Sequence, residues 1–483
     1  MMLNTALPPV PIRGPRPVPM MGPRGNILRF FSEPVGTMLR LHREYGKLAA
    51  LSDRNPGLVC AFGAEFNQLL LSDANRFQSN EDLLFPVPKD SPAETLLVSL
   101  PMLNGPAHRR RRRLMMPSFA RTAIEGYRDD IASIAERYVS RWTPGRRFDV
   151  AAEMHELTLE IALKCFFGLE NTAHPDNLGR LGSEFLEGLI SVWCMLLPFD
   201  LPGTPYRRFL DAAKALDVRV RRLITEKRAR LDGQRDAFAL LLGAKDEDGT
   251  ALGDTELLGE AAILFIAGHE TTSYTLSWTL WLLSQHPQVM ADLVDELSSK
   301  LKGDAPTLTQ LAELPLLDAV VKESMRLIPV TPMLFMRFAQ EGFSLGGVEM
   351  PKGTGVVLSP LITHREPDVF PAPDRFRPER WATARPATYQ YIPFGAGPRM
   401  CIGATFASTA LRVVLPIILQ RFRLELEPNA RVSRVMRGLT MGPKHGLPMT
   451  AQVQDRRFGP PVPFQGDMHD LVRLDGEPPR DRF

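Results

Sequence analysis

Cysteine is scarce: four residues in 483, at Cys60, Cys165, Cys194 and Cys401, none forming a Cys-x-x-Cys pair. Such spacing excludes a disulfide framework or a structural zinc site, and a reducing compartment fits it best. A long apolar run is missing too. No segment supplies the roughly 18 uninterrupted apolar residues of a membrane span, and no charged start leads into an apolar core at the N-terminus. A cytoplasmic protein with no membrane span is expected. Charge of one sign is also absent: the net charge is +3, which gives nucleic-acid binding no compositional support. No internal repeat is visible.

What is present is ordinary globular material, 44% hydrophobic and 23% charged, in a chain longer than one core usually organises. Two domains, or one large domain around a buried ligand, would account for that length. Residues 1–25 form a proline-rich arm, expected to drape over the body or stay free of it, and residues 456–483 read as a charged, proline-rich tail. Between them lies the body, 26–455. Strands are predicted at Lys47–Leu51 and Leu58–Phe62, and glycine-punctuated strands between Phe343 and Ser359. Apolar residues recur at three and four over Ile131–Trp142, Val150–Cys165 and Phe209–Leu231. A helix then runs from Asp254, a candidate N-cap, to His286 before Pro287, and a last one opens after Cys401. The class is mainly α with a smaller β-rich region.

The segment Phe394-Gly395-Ala396-Gly397-Pro398-Arg399-Met400-Cys401-Ile402-Gly403 is the most informative in the chain. A thiolate is stable where backbone N–H groups and a helix N-terminus point at it, and glycines let the backbone curl around sulfur. Arg399 adds a cation able to meet an acidic group on the same ligand. The segment resembles the haem-binding signature of the cytochrome P450 family, Phe-x-x-Gly-x-Arg-x-Cys-x-Gly, at every defined position. That resemblance covers roughly residues 26 to 452. It implies the family's fold and a haem b whose iron takes Cys401 as axial thiolate.

Inside the long helix, Ala261–Ile266 gives way to Ala267-Gly268-His269-Glu270-Thr271-Thr272. An acid and hydroxyls mid-helix are locally unfavourable and call for a compensating reason. The hexapeptide resembles the family's oxygen-binding groove. By that resemblance Ala267 and Gly268 leave room over the iron, while Glu270 and Thr271 relay protons. A structural alternative stands beside each role: Thr271 bonding back to a helix carbonyl, and Glu270 in an ion pair. His269, one position off the pair, reads as structural.

Two further elements carry charge. Glu323 and Arg326 share a helix face, and with Phe376–Trp381 they resemble the family's Glu-x-x-Arg and Pro-Glu-Arg-Phe motifs, implying a buried network of Glu323, Arg326 and Arg380. The run His108–Arg113 invites a nucleic-acid reading, but its context resembles the family's third helix, where His108 and Arg112 would contact a propionate. Arg337 resembles another propionate position. The remaining arginines are expected near the cysteine-side surface, as a basic patch for an acidic electron donor or as a solvated face.

By the same resemblance, substrate contacts fall at Leu83–Leu103, Leu186–Pro205, Leu264 and Phe265, Thr331, Met333 and Leu334 (within Val330–Leu334), and Thr440 (within Leu439–Met441). Their Leu, Met, Phe and Pro content suits an apolar cavity, and equally a plain core. The implied activity is insertion of one atom of O2 into an apolar small molecule (fatty acid, terpenoid, steroid or polyketide). No flavin or iron–sulfur segment is present, so a separate ferredoxin or flavodoxin would donate electrons. The alternatives are a peroxide-using or oxygen-rearranging relative and a haem-based sensor.

Overall fold

The computed structural model describes residues 7–79, 85–170, 178–189, 191, 193, 194 and 197–477. Its axis is the helix Asp254–Ser284, 31 residues long. At 1.5 Å per residue it spans about 46 Å. Asp254 is the first helical residue and Gly253 the cap, whose N–H donates to the Glu256 carboxylate at 3.0 Å. Buried residues line nearly every face, the pattern of a helix surrounded by protein rather than lying on its surface. Val150–Phe167, Leu178–Leu189, Pro205–Arg228, Pro315–Leu327 and Ala404–Leu419 pack around it.

The β-rich side is a five-stranded sheet in the order Leu48–Ala50, Leu58–Ala61, Gly355–Leu358, Arg337–Ala339, Phe77–Gln78. Leu58–Ala61 runs parallel to Gly355–Leu358 and the other neighbours are antiparallel. Both central strands are buried on both faces. Alternation sends Val59, Ala61, Val356 and Leu358 into one apolar cluster and Leu58, Cys60 and Val357 into another. The hairpin Arg434–Arg437/Thr440–Pro443 stands apart from this sheet and against the long helix.

Both flanking segments join the body. The arm buries Val10 and Ile12, and the Ile12 and Pro15 carbonyls accept from Arg54 and Asp53 N–H. Asn26 Nδ2 ties Pro15, Arg16 and Leu51 carbonyls together. The segment expected as a tail contributes Phe464, Met468, Leu471 and Val472 to the main core. Arg473 pairs with Asp374 at 2.9 Å, and Arg365 donates to the Leu471 carbonyl. Residues 456–477 are therefore part of the packed structure.

Candidate active site

The cysteine loop is shaped by left-handed glycines, Gly395 (φ 69°) and Gly397 (φ 71°). A Cβ on Gly397 would lie 2.1 Å from the Leu71 carbonyl, so no other residue fits there. Cys401 N–H closes the loop on the Phe394 carbonyl at 2.9 Å, and the helix Ala404–Leu419 begins just beyond. Cys60, Cys165 and Cys194 are buried, whereas Cys401 keeps an accessible side chain although protein encloses it on nearly all sides. That enclosure pushes its thiol pKa up, against a hydrogen bond from Gly403 N–H and the nearby Arg112 cation.

Four basic groups converge beside the loop. His108 is buried, and burial followed by Arg399, Arg112, Arg337 and Arg109 pushes it down to about 4, leaving a neutral ring at pH 7. Arg337 is buried as well and is lowered to about 10 by burial and then by Arg399. Among the described residues its guanidinium donates only to the Phe335 and Met336 carbonyls. Arg399 donates to the Pro101 and Leu103 carbonyls and to Asn104, and among the described residues its Nε has no partner. Among the described residues no carboxylate pairs with His108, Arg112, Arg337 or Arg399. Arg337 is a buried cation and Arg112 and Arg399 are half-buried ones; cations withdrawn from water without counter-charge are costly, so these three, with the neutral His108 as a hydrogen-bonding partner, fit a ligand that brings its own carboxylates to the thiol.

In the long helix, Ala267 is exposed and Ile263, Ile266, Gly268 and Thr271 are half-buried, although the helix on either side is almost wholly buried. Thr271 Oγ1 donates back to the Ala267 carbonyl at 2.9 Å. At Gly268 a Cβ would sit 2.1 Å from the Phe166 ring, so its small size also lets the helix Val150–Phe167 approach. His269 is structural in its contacts. Its Nδ1–H donates to the Phe265 carbonyl at 2.9 Å, and burial pushes it down to about 4.

Among the described residues Glu270 makes no ion pair. Its Oε1 accepts from the Tyr274 hydroxyl at 3.2 Å and its Oε2 from Thr440 Oγ1 at 2.9 Å. Burial raises the carboxyl despite these donors. Thr440, expected at the substrate pocket, thus turns its hydroxyl to the acid. Tyr274 escaped the sequence reading although it lies one turn from Glu270 on the same helix.

Glu323 receives five hydrogen bonds: Arg326 Nε and Nη2, Arg380 Nε and Arg377 N–H at 2.9 Å, and Trp381 Nε1 at 3.0 Å. Arg326 also donates to the His364, Pro373 and Arg375 carbonyls, pinning the irregular segment that leads to the cysteine loop. Trp381 stands where the family motif has Phe and adds a bond that Phe cannot make.

The arginine run is largely neutralised. Arg110 pairs with Asp246 and Glu256, Arg111 with Glu256 and the fully buried Glu260, and Arg113 with Glu247. The expected basic patch therefore shrinks to Arg109, which is exposed and, among the described residues, bonded only to Asn75. Of the pocket candidates, Leu264 and Phe265 lie in the main core, with Phe265 against Gly182 and His269. Met333 is buried under the sheet, and Thr331 and Leu334 are half-buried. Leu83–Leu103 and Leu186–Pro205 lie partly outside the described residues.

The cytochrome P450 family profile matches residues 12–448. The chain belongs to the cytochrome P450 family. It is similar to pentalenene oxygenase of Streptomyces avermitilis, 34% identical over 336 residues, covering 68% of this chain and 74% of that one. It is also similar to cyclooctatin synthase of Streptomyces melanosporofaciens, 33% identical over 350 residues and covering 71% and 76%. The haem domain of cytochrome P450DA superposes with TM-score 0.80 at 27% identity, covering 93% of this chain and all of that one (100%). Retinoic acid bound cyanobacterial CYP120A1 gives 0.79 at 25% identity, covering 92% and 100%. The protein is a haem-dependent monooxygenase with a cysteine thiolate as axial ligand, using O2, a redox partner and an apolar substrate. Among the described residues no helix is long and apolar enough to cross a membrane.

Proposed function

We propose that this P450 oxygenates a terpenoid, with Cys401 as the axial ligand and electrons from a separate ferredoxin- or flavodoxin-type protein. The observation that carries the site assignment is the set of uncompensated basic groups, His108, Arg112, Arg337 and Arg399, gathered beside the one accessible thiol. Two carboxylates of a haem supply the charge these groups lack. Phe394 and Gly395 frame the thiolate loop. When bound, the haem supplies reductive activation of O2, with thiolate donation favouring O–O cleavage.

The chain's own residues do the rest. Ala267, exposed mid-helix, would leave space for O2 at a bound haem, and Thr271 one turn on offers a hydroxyl whose one hydrogen bond among the described residues is to a helix carbonyl. Glu270 is the acid that replenishes that hydroxyl with protons, since insertion of one oxygen atom consumes two protons and an apolar pocket admits little water. Thr331 and Leu334 contribute to the pocket wall, backed by Met333, Leu264 and Phe265. Arg109 belongs to the donor-facing surface.

The terpenoid reading rests on the relatives named pentalenene oxygenase and cyclooctatin synthase. Its test is turnover of cyclic sesquiterpene and diterpene hydrocarbons, pentalenene among them, with a ferredoxin and its reductase under ¹⁸O₂. One labelled oxygen in the product is expected. Failure of every terpene alongside oxidation of fatty acids or polyketides would overturn the substrate class.

A further inference from the structure

Glu270 is held from two directions. Tyr274 is one turn away on the same helix, whereas Thr440 arrives from a hairpin 170 residues distant. That hairpin has a second attachment. Met441 N–H donates to the Val330 carbonyl at 2.7 Å, and Leu439 shares a cluster with Met333 and Met336. On the helix side, Trp278 Nε1 donates to the Met441 carbonyl at 2.9 Å. Gly442 lies so close to the Tyr274 ring that a Cβ would sit 2.5 Å from it. The hairpin therefore touches both the segment assigned to the pocket wall and the acid assigned to proton supply.

We infer that this hairpin is a latch on the acid, with Thr440 a positioning residue that keeps Glu270 turned from Thr271 until a substrate displaces the Leu439–Thr440 tip. The inference rests on the proton-relay reading of Glu270 and Thr271 given above. Neither Glu270 oxygen bonds to Thr271, whose hydroxyl is on the Ala267 carbonyl. The Thr440 hydroxyl is shared between Glu270 Oε2 and the Arg437 carbonyl at 2.8 Å, so a small shift of the tip exchanges one acceptor for the other.

The groups facing Glu270 make its protonation sensitive to that exchange. Tyr274 and Thr440 donate neutral hydroxyls, Arg437 stands nearby on the hairpin, and Glu187 opposes from the helix Leu178–Leu189. His269 and His155, with rings 5.0 Å apart on the adjoining helix faces, are both lowered by burial and supply no positive charge at neutral pH. Losing the Thr440 bond removes a donor to the carboxylate and raises the carboxyl further. It also frees one oxygen to turn towards Thr271.

The consequence is chemical economy. With substrate RH present, RH + O2 + 2 electrons + 2 protons gives ROH + water. Without it, the same electrons from the ferredoxin and the same protons turn O2 into hydrogen peroxide. An acid latched in the empty enzyme slows that second route.

The test compares T440V, T440S, E270Q and T440V/E270Q in the holoenzyme. In the infrared, the carboxyl band identified by its loss in E270Q should move up in frequency and in titration midpoint in T440V, and stay unchanged in T440S. The terpene giving the largest high-spin shift should move the wild-type band in the same direction. Substrate-free peroxide formation with ferredoxin and reductase should rise about 3- to 10-fold in T440V, the equivalent of one hydrogen bond, and T440V/E270Q should equal E270Q. A T440V that only weakens terpene binding, with band and peroxide yield unchanged, overturns the latch. So does a T440V effect that persists in the E270Q background. If E270Q itself leaves product per electron untouched, the relay reading falls first and the latch with it.

Discussion

Two buried glutamates are treated in opposite ways. Burial alone would raise the Glu323 carboxyl, yet Arg326, Arg380 and the Arg377 N–H hold it below the ordinary range. Burial also raises Glu270, and there the donors are neutral hydroxyls that fail to reverse the shift. The first is a permanent anion at the centre of a rigid brace beneath the cysteine loop. The second is a carboxyl whose proton is negotiable. Number and charge of donors, not depth, separate scaffold from chemistry.

The largest way to break this contrast is Glu323→Ala, which leaves Arg326 and Arg380 without their anion. We expect a loss of ~3–5 kcal/mol in denaturant unfolding and a fall in haem content on purification. A third glutamate sharpens it. Glu260, fully buried against Arg111, is raised to about 7 by burial, which the Arg111 cation only partly offsets. From its ordinary 4.5 up to about 7 the folded carboxyl keeps a proton that the unfolded chain has lost. Stability should therefore fall as pH rises through that window, and E260Q should remove this component of the slope in unfolding titrations at several pH values. Next in size, E270Q should lower product per electron by roughly 10- to 100-fold while changing unfolding free energy by less than about 1 kcal/mol. The smallest effect is Trp381→Phe, which removes one of five bonds to Glu323 and should cost about 1 kcal/mol by the same unfolding assay.

Much of this was legible beforehand. The glycines and arginine around Cys401 and the acid and alcohol within the long helix sit in short contiguous patterns, whereas the Glu323 brace joins two such patterns more than fifty residues apart, which the family resemblance connected. What stayed hidden was pairing across long separations. Nothing in the run Arg109–Arg113 says that Arg111 meets Glu260 or that Arg110 meets Asp246, so its free charge was overestimated. Thr440 on Glu270 is hidden in the same way. Gly268 carries a second use that its neighbours in the chain do not announce, because smallness serves a groove and a helix contact alike and the Phe166 ring lies far away in sequence. The terminal segment did carry a signal in its apolar residues Met468, Leu471, Val472 and Leu474, all of which join the main core, masked by flanking prolines and charges.

The central claim is that Cys401, framed by its glycine loop and by cations that lack protein carboxylates, is the ligand of a thiolate-bound haem. The direct measurement is the absorption spectrum of the dithionite-reduced protein under carbon monoxide, for wild type and C401A. A red-shifted thiolate-type Soret band in wild type that is absent from C401A is the predicted result. Haem bound without that band, or a band that survives the substitution, would contradict the account.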